Sequence, residues 1–314
     1  GSSNIAIGDN AMLSTTSGNN NIGIGTALAS NVDGSYNVAV GDDSLTKANS
    51  SWNTAVGHNA YQLGTGGSNT IIGGDAMSEG SGSNNVAVGT NSLWYGSGDG
   101  NVAIGANSNY KNQTLTTFTN STAVGFSSYA SGTGSVAVGA NSSTLNAKAI
   151  AIGNATAIAD SSISIGEKTT SSDENAIAMG TSSISSGDGS LSLGSWSEAT
   201  GYRSVAVGPS AESSSYASVA LGSESGARAN YSISIGEFSR ATEHAAVAIG
   251  DQAKAQGSQS VAIGQNSKVN GGNYSAALGY SADASGNSAV AIGNNAKAVN
   301  NYNTALGYNA CQYA

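Results

Sequence analysis

Ser260-Val261-Ala262-Ile263-Gly264-Gln265-Asn266-Ser267 alternates large aliphatic with small side chains and breaks off at a glycine. The same figure returns as Ile5-Ala6-Ile7-Gly8, Val38-Ala39-Val40-Gly41, Val102-Ala103-Ile104-Gly105, Val205-Ala206-Val207-Gly208 and Val290-Ala291-Ile292-Gly293. Its closing glycines stand at 8, 25, 41, 57, 73, 89, 105, 125, 139, 153, 166, 180, 194, 208, 222, 236, 250, 264, 279, 293 and 307. These 21 copies account for 21 of the 44 glycines in 314 residues. The intervals run 17, then five of 16, one of 20, and afterwards almost all 14. A sustained period of this length marks a repeat architecture.

Each copy has the parity of an extended strand. One and three residues before the glycine the side chain is usually Val, Ile or Leu; two before, it is Ala, Ser or Gly except at Ile71. Alternate residues of a strand point to opposite faces, so one face is aliphatic and the other small. Helical spacing fits none of this, and β-branched residues favour strands. A second small residue follows at three after the glycine (Ala11, Ser92, Ser142, Ala253, Ala296), and often another at five (Ala199, Ala241, Ala255, Ala298). Fourteen residues leave room for two short strands and two tight turns. The simplest arrangement is a flattened parallel coil whose turns hydrogen-bond to the next, so that the rungs, at about 4.8 Å each, stack into a rod of roughly 100 Å.

Only small side chains fit between the two layers of so thin a coil. The Ala and Ser positions suit that interior, which puts the aliphatic stripe outside. A continuous ridge of this kind far exceeds the few hundred Å² typical of exposed patches on monomers. An obligate oligomer is therefore expected, with Val136, Val138, Val205, Val207, Val261, Ile263, Val290 and Ile292 at its interface. The inverted arrangement, with Val and Ile inside and Ala outside, is the alternative.

Composition narrows the function. Charged side chains make up 9% of the chain, where a compact enzyme carries about 25%. Ten Lys and Arg face nineteen Asp and Glu, a net charge of −9. No basic stripe exists to neutralise phosphates, so nucleic acid is not an expected partner. No apolar run approaches the roughly 20 residues that span a bilayer, and the opening Gly1-Ser2-Ser3-Asn4 has no signal-peptide character. The single cysteine, Cys311, cannot form an internal disulfide. His58 and His244 stand apart in sequence, and no zinc spacing is present. Gly96-Ser97-Gly98-Asp99-Gly100 has a calcium-turn flavour but lacks the nine-residue repeat of calcium-binding rolls. No phosphate loop follows any glycine. No cofactor, no metal and no enzymatic activity are expected.

Ser135-Val136-Ala137-Val138-Gly139-Ala140-Asn141-Ser142, Ser204-Val205-Ala206-Val207-Gly208 and the opening stretch resemble the head repeats of YadA-like trimeric autotransporter adhesins. The resemblance covers residues from about 121 to 314. It implies an all-β, left-handed parallel β-roll (a β-solenoid) of 21 repeats, built as a homotrimeric rod and displayed as an adhesive head. The handedness and the number three are what the resemblance implies. No neck, heptad stalk or barrel strands are found, and the array begins and ends inside a repeat. A segment of a longer fibrous protein is therefore expected.

Residues 1–110 keep the strand and glycine at the 16-residue period. Asn stands four before the glycine in all seven copies: Asn4, Asn21, Asn37, Asn53, Asn69, Asn85 and Asn101. Stacked Asn side chains can bond to one another as a ladder between rungs, as in cross-β stacks. Four after the glycine runs a second, mostly apolar stripe: Met12, Ala29, Leu45, Tyr61, Met77 and Leu93. Asn53-Thr54-Ala55-Val56-Gly57-His58-Asn59-Ala60 is similar to repeats of phage and viral fibre proteins. The expected organisation is a 16-residue β-roll over 1–110, an insertion or seam over 111–121, and a 14-residue β-roll over 122–314.

Function on a rod sits on its insertions and outward rows. The long interval before Gly125 carries Tyr110, Lys111, Leu115 and Phe118, either a protruding contact loop or a seam between two cross-sections. Arg240, Lys254 and Lys268 stand four after their glycines as a basic row with outward parity, either a solvated face or a site for an acidic ligand. Carboxylates of a neighbouring chain, such as Glu237 or Asp251, would offset the row. Tyr202 and Tyr216 stand six before their glycines, and Tyr36, Trp52, Tyr231, Tyr274 and Tyr302 five before theirs, a position that shares the stripe's parity and points to subunit packing. The expected function is a non-enzymatic cell-surface adhesin head that presents a binding surface to host matrix protein, glycan or cell receptor. It would sit outside the cell on a bacterial outer surface, without inserting in the membrane. A phage or virus tail-fibre shaft for host recognition is the alternative.

Overall fold

The computed structural model describes residues 1–30, 33–47, 49–110 and 116–311. The chain divides into two compact units, Gly1–Ser161 and Ser162–Ala314. Each is an all-β parallel solenoid, and no helix occurs among the described residues. Three-residue strands number 21, ten in the first unit and eleven in the second, so the chain makes about 21 turns. Within each unit successive strands pair in parallel with no slip of parity. Val38 lies between Ile22 and Thr54 in the first unit, and Val205 lies between Leu191 and Val219 in the second.

That register stacks small residues on small ones. Ala39, Ala55, Ala87, Ala103, Ala206, Ala248, Ala262 and Ala291 are all fully buried. The residues on either side of each turn outward. In the single chain Ile263 keeps 36% of its surface and Ile292 38%, while Val136, Val138, Val205, Val207, Val261 and Val290 are half-buried. The alanine face is therefore the interior, and the inverted arrangement is excluded.

The closing glycine is required twice over, as Gly208 illustrates. Its φ of +129° is open to glycine alone, and a Cβ there would lie 2.6 Å from the backbone of Gly222. The residue two after the glycine is left-handed as well, often Asn (Asn59, Asn91, Asn141, Asn266, Asn295). Asn tolerates that conformation better than most residues.

Wide and narrow coils part company after this shared corner. In the narrow coils a second, two-residue strand follows, such as Arg240–Ala241 or Lys254–Ala255, with its alanine buried and its charged residue outward. In the wide coils the chain keeps turning, and the residue four after the glycine is itself left-handed: Met12, Leu45, Tyr61, Met77 and Leu93. That turn aims the large side chain inward, and these residues form the core of the first unit. In the second coil the position belongs to Leu28, fully buried with φ +54°, and not to Ala29. The second coil reaches its inward position one residue early.

The asparagine column is a ladder built mainly between side chains and backbone, with one side-chain bond within it, from Asn101 Nδ2 to Asn85 Oδ1 at 3.0 Å. Each Oδ1 accepts the backbone N–H of the next asparagine: Asn21 to Asn37 at 2.9 Å, Asn37 to Asn53 at 2.9 Å, Asn53 to Asn69 at 3.0 Å. Each Nδ2 donates to a backbone carbonyl, as Asn21 does to Gly34 and Asn85 to Gly98. These side chains satisfy backbone groups that the turning chain leaves without strand partners. Tyr61 joins them. Its hydroxyl accepts from Asn69 Nδ2 at 2.9 Å, and burial pushes the phenol pKa far above its usual value, with that hydrogen bond opposing. Narrow coils place Ser or Ala where the wide coils have Asn, except for Asn303 in the last one. Asn109 joins the two cross-sections: it is fully buried, left-handed, and accepts the N–H of Ala130 at 2.6 Å.

Asn53→Leu should destabilise the first unit by about 2–4 kcal/mol, because the buried N–H of Asn69 loses its acceptor and the Gly66 carbonyl loses a donor. Asn53→Asp keeps the acceptor and should cost less. Thermal unfolding with hydrogen exchange at the Asn69 amide checks both, and an amide still protected in the leucine variant would refute the ladder's role.

Candidate functional site

Outward residues of the second ladder form one column in the second unit. Glu198, Glu212, Gly226, Arg240, Lys254 and Lys268 stack in register. Single bridges extend the column to Asp283 and Lys297. The alanines beside them, Ala241 and Ala255, pack in one core with Ala248 and Ala262 of the aliphatic strands. The two ladders share an interior, so the charged column and the aliphatic stripe face away from each other.

Gly226 opens a notch in this column. Without a side chain there, Arg240 leans back over the rung below. A Cβ on Gly226 would lie 3.0 Å from Arg240 Cδ and 3.6 Å from Arg228 Nε. Arg240 Nη1 donates to the carbonyls of Glu224 and of Ser239, the latter at 3.0 Å. Beside this bend lies a groove of about 590 Å³ whose walls include Arg228, Phe238, Arg240, Thr242, Lys254 and Gln256. Arg240, Lys254 and Lys268 are thus brought into one column, as their spacing predicts.

Within the chain their charges are offset only in part. Arg228 holds Glu212 through Nε and Nη2 at 2.9 and 2.6 Å, and Lys268 pairs with Asp283 at 3.1 Å. Asp251 accepts from the side chain of Gln265. Lys254 is exposed and has no ion-pair partner among the described residues. Arg228 and Phe238 are absent from the predicted row. Arg228 sits six after Gly222 and so shares the outward parity of the row, which is the signal that finds it. Phe238 occupies the left-handed corner, where strand parity carries no information.

The aromatic residues before the strands lie in turns. Tyr36, Trp52, Tyr231, Tyr274 and Tyr302 are left-handed there, so the parity of the stripe does not extend to them. Neighbouring rungs stack them instead. Tyr36 and Trp52 lie 4.2 Å apart at 6°, and Tyr202 and Tyr216 5.3 Å apart at 12°. Tyr231 meets Tyr216 edge-on, and His244 packs on Tyr231 at 5.8 Å. His244 is isolated in sequence but not in space.

The seam is less available to a partner than predicted. Phe118 is 1% exposed, sits in the first unit's core and meets the edge of Tyr129 at 6.0 Å. It continues the inward apolar stripe, so it is a core residue and not a contact residue. Tyr110 is half-buried against Trp94 at 5.6 Å. Lys111 and Leu115 lie outside the described residues. Among the described residues no three His, Cys, Asp or Glu side chains gather as a metal site would require, and no helix is long and apolar enough to cross a membrane.

No curated protein matches the chain. The family model of the YadA head domain repeat matches it in eight two-repeat windows, from 119–142 through 185–211 and 241–267 to 284–310. The windows begin at the first narrow coil and cover more than half of the chain. Each window spans about two of the narrow coils described above. By its repeats and by the coil they build, the chain belongs to the YadA head family, whose members are surface-displayed adhesins.

Proposed function

We propose that the chain is a non-enzymatic adhesin head segment that works as a homotrimer of left-handed coils on a bacterial outer surface. Three copies pack their aliphatic stripes around a common axis, with Val136, Val138, Val205, Val207, Val261, Ile263, Val290 and Ile292 at the contact. The charged second ladder and the turns then remain outward to meet matrix protein, glycan or a cell receptor. One observation carries this reading. The strands bury their alanines fully while leaving Ile263, Ile292 and their neighbours uncovered in the single chain. An uncovered apolar stripe repeated on every coil calls for a partner with the same period. A second copy of the chain supplies that period, and the family is one of trimeric adhesins.

The wide coils before residue 119, which the family match does not reach, favour a second reading as a tail-fibre shaft. Both readings predict host-surface binding. The assembled chain should bind immobilised extracellular-matrix proteins or cell-surface glycans saturably, several-fold above a dissociated variant. Absence of binding to every surface offered would overturn adhesion and leave a spacer.

A further inference from the structure

We infer that the groove between Arg228, Arg240 and Lys254 binds a linear anionic glycan, whose sulfate or carboxylate groups seat on these three side chains. The inference rests on the adhesive reading above and names the class of ligand for this surface.

Ten Lys and Arg are spread over 314 residues, yet three of them converge on one groove of about 590 Å³. Among the described residues, the only carboxylate bonded to any of the three is Glu212, on Arg228. Arg240 is held by backbone carbonyls, which orient its guanidinium without neutralising it. Lys254, one rung on, is exposed and unpaired. Successive rungs of a parallel ladder stand about 4.8 Å apart, close to the advance per sugar of an extended glycan. Charges borne on successive sugars would therefore meet Arg240 and Lys254 in step.

The rest of the groove suits a sugar ring better than a peptide or a base. Phe238 is 39% exposed and offers an apolar surface to the C–H face of a ring. Thr242, Gln252 and Gln256 supply neutral donors and acceptors for hydroxyl groups. Acidic side chains flank the groove: Glu224, Glu237 and Glu243 are all exposed. Together with the net charge of −9, they disfavour the dense, unbroken phosphate charge of nucleic acid and favour a ligand whose charges are spaced. Three copies on one assembly would multiply a weak single contact.

The test uses the whole chain with immobilised heparin as the sulfated probe, hyaluronan as the carboxylate-only probe, and duplex DNA as competitor. Heparin binding is expected to weaken steeply with salt. The Arg240→Gln, Lys254→Gln double variant should bind about ten-fold more weakly, equivalent to roughly 1.4 kcal/mol. Gly226→Glu should do the same, since it fills the notch and extends the row of Glu198 and Glu212. Its neighbour there is the flexible side chain of Arg240, and circular dichroism and solution mass should be unchanged. Lys148→Gln, in the other unit, should have no effect. Heparin binding that survives both groove variants, or DNA that competes as well as free heparin, would overturn the assignment. A chain that ignores heparin but still binds matrix protein would overturn it too, with the adhesive reading intact. A chain that binds neither would remove both.

Discussion

A Val205→Asp chain is expected to run in solution at the mass of a single protomer, where the proposed assembly of the unsubstituted chain would run at three. Val205 sits in the middle of the uncovered stripe, between Leu191 and Val219 in register. Its neighbour Ala206 fills the interior, so the substitution touches nothing inside the coil. In the assembly each carboxylate would be removed from water with no basic side chain opposite it. An uncompensated buried charge costs about 3–5 kcal/mol, and the assembly would contain three. Ile292→Asp tests the same face nearer the C-terminal end. Thr200→Asp, on the exposed turn after the second strand, should leave the mass unchanged. Should Val205→Asp and Ile292→Asp both stay assembled, the stripe is not the interface and the proposed trimer falls.

Gly208→Ala should be the most damaging conservative substitution within the coil. A side chain at φ +129° is strained whatever the space around it, at about 1–3 kcal/mol. The added methyl would also press at 2.6 Å on the backbone of Gly222, and overpacking of this kind costs a further 1–3 kcal/mol or so. The neighbouring rung cannot yield without breaking the bond from Gly222 N–H to the Val207 carbonyl at 2.8 Å. Gly134→Ala is the matched control. Its φ of +68° lies where other residues of this chain already sit, and nothing stands within 4 Å of the added methyl. That variant should shift the unfolding midpoint only slightly. Equal shifts for the two glycines would mean that rung contact plays no part.

Much of this fold is readable along the chain because every coil repeats the same local decision. Alternation of Val205, Ala206 and Val207 states which side chains share a face. The small size of Ala206 and Ala248 states which face can be interior in a coil so thin. The glycines mark each corner, since the backbone there excludes every other residue. The basic column was legible for the same reason: Arg240, Lys254 and Lys268 keep one offset from their glycines, and in-register pairing turns equal offset into vertical stacking. Arg228 shares that parity and was legible in principle.

Other features were not available from spacing. Tyr61 and Arg240 stand at the same offset from their glycines, yet Tyr61 is fully buried while Arg240 lies on the surface. The difference is the backbone at that one residue, left-handed in the wide coil and extended in the narrow one. A left-handed residue resets the alternation, and periodicity cannot see the reset. The shift from Ala29 to Leu28 and the burial of Phe118 follow from the same local turning. The asparagine column was visible as a column, but its partners were not, because they are backbone N–H groups of the next coil brought close only by stacking. Gly226 is unremarkable in sequence. It opens a notch because Arg228 and Arg240, from the same coil and the next, close over the space its missing side chain leaves. Period and parity are properties of the chain; the notch belongs to neighbouring coils, and it exists only once they are stacked.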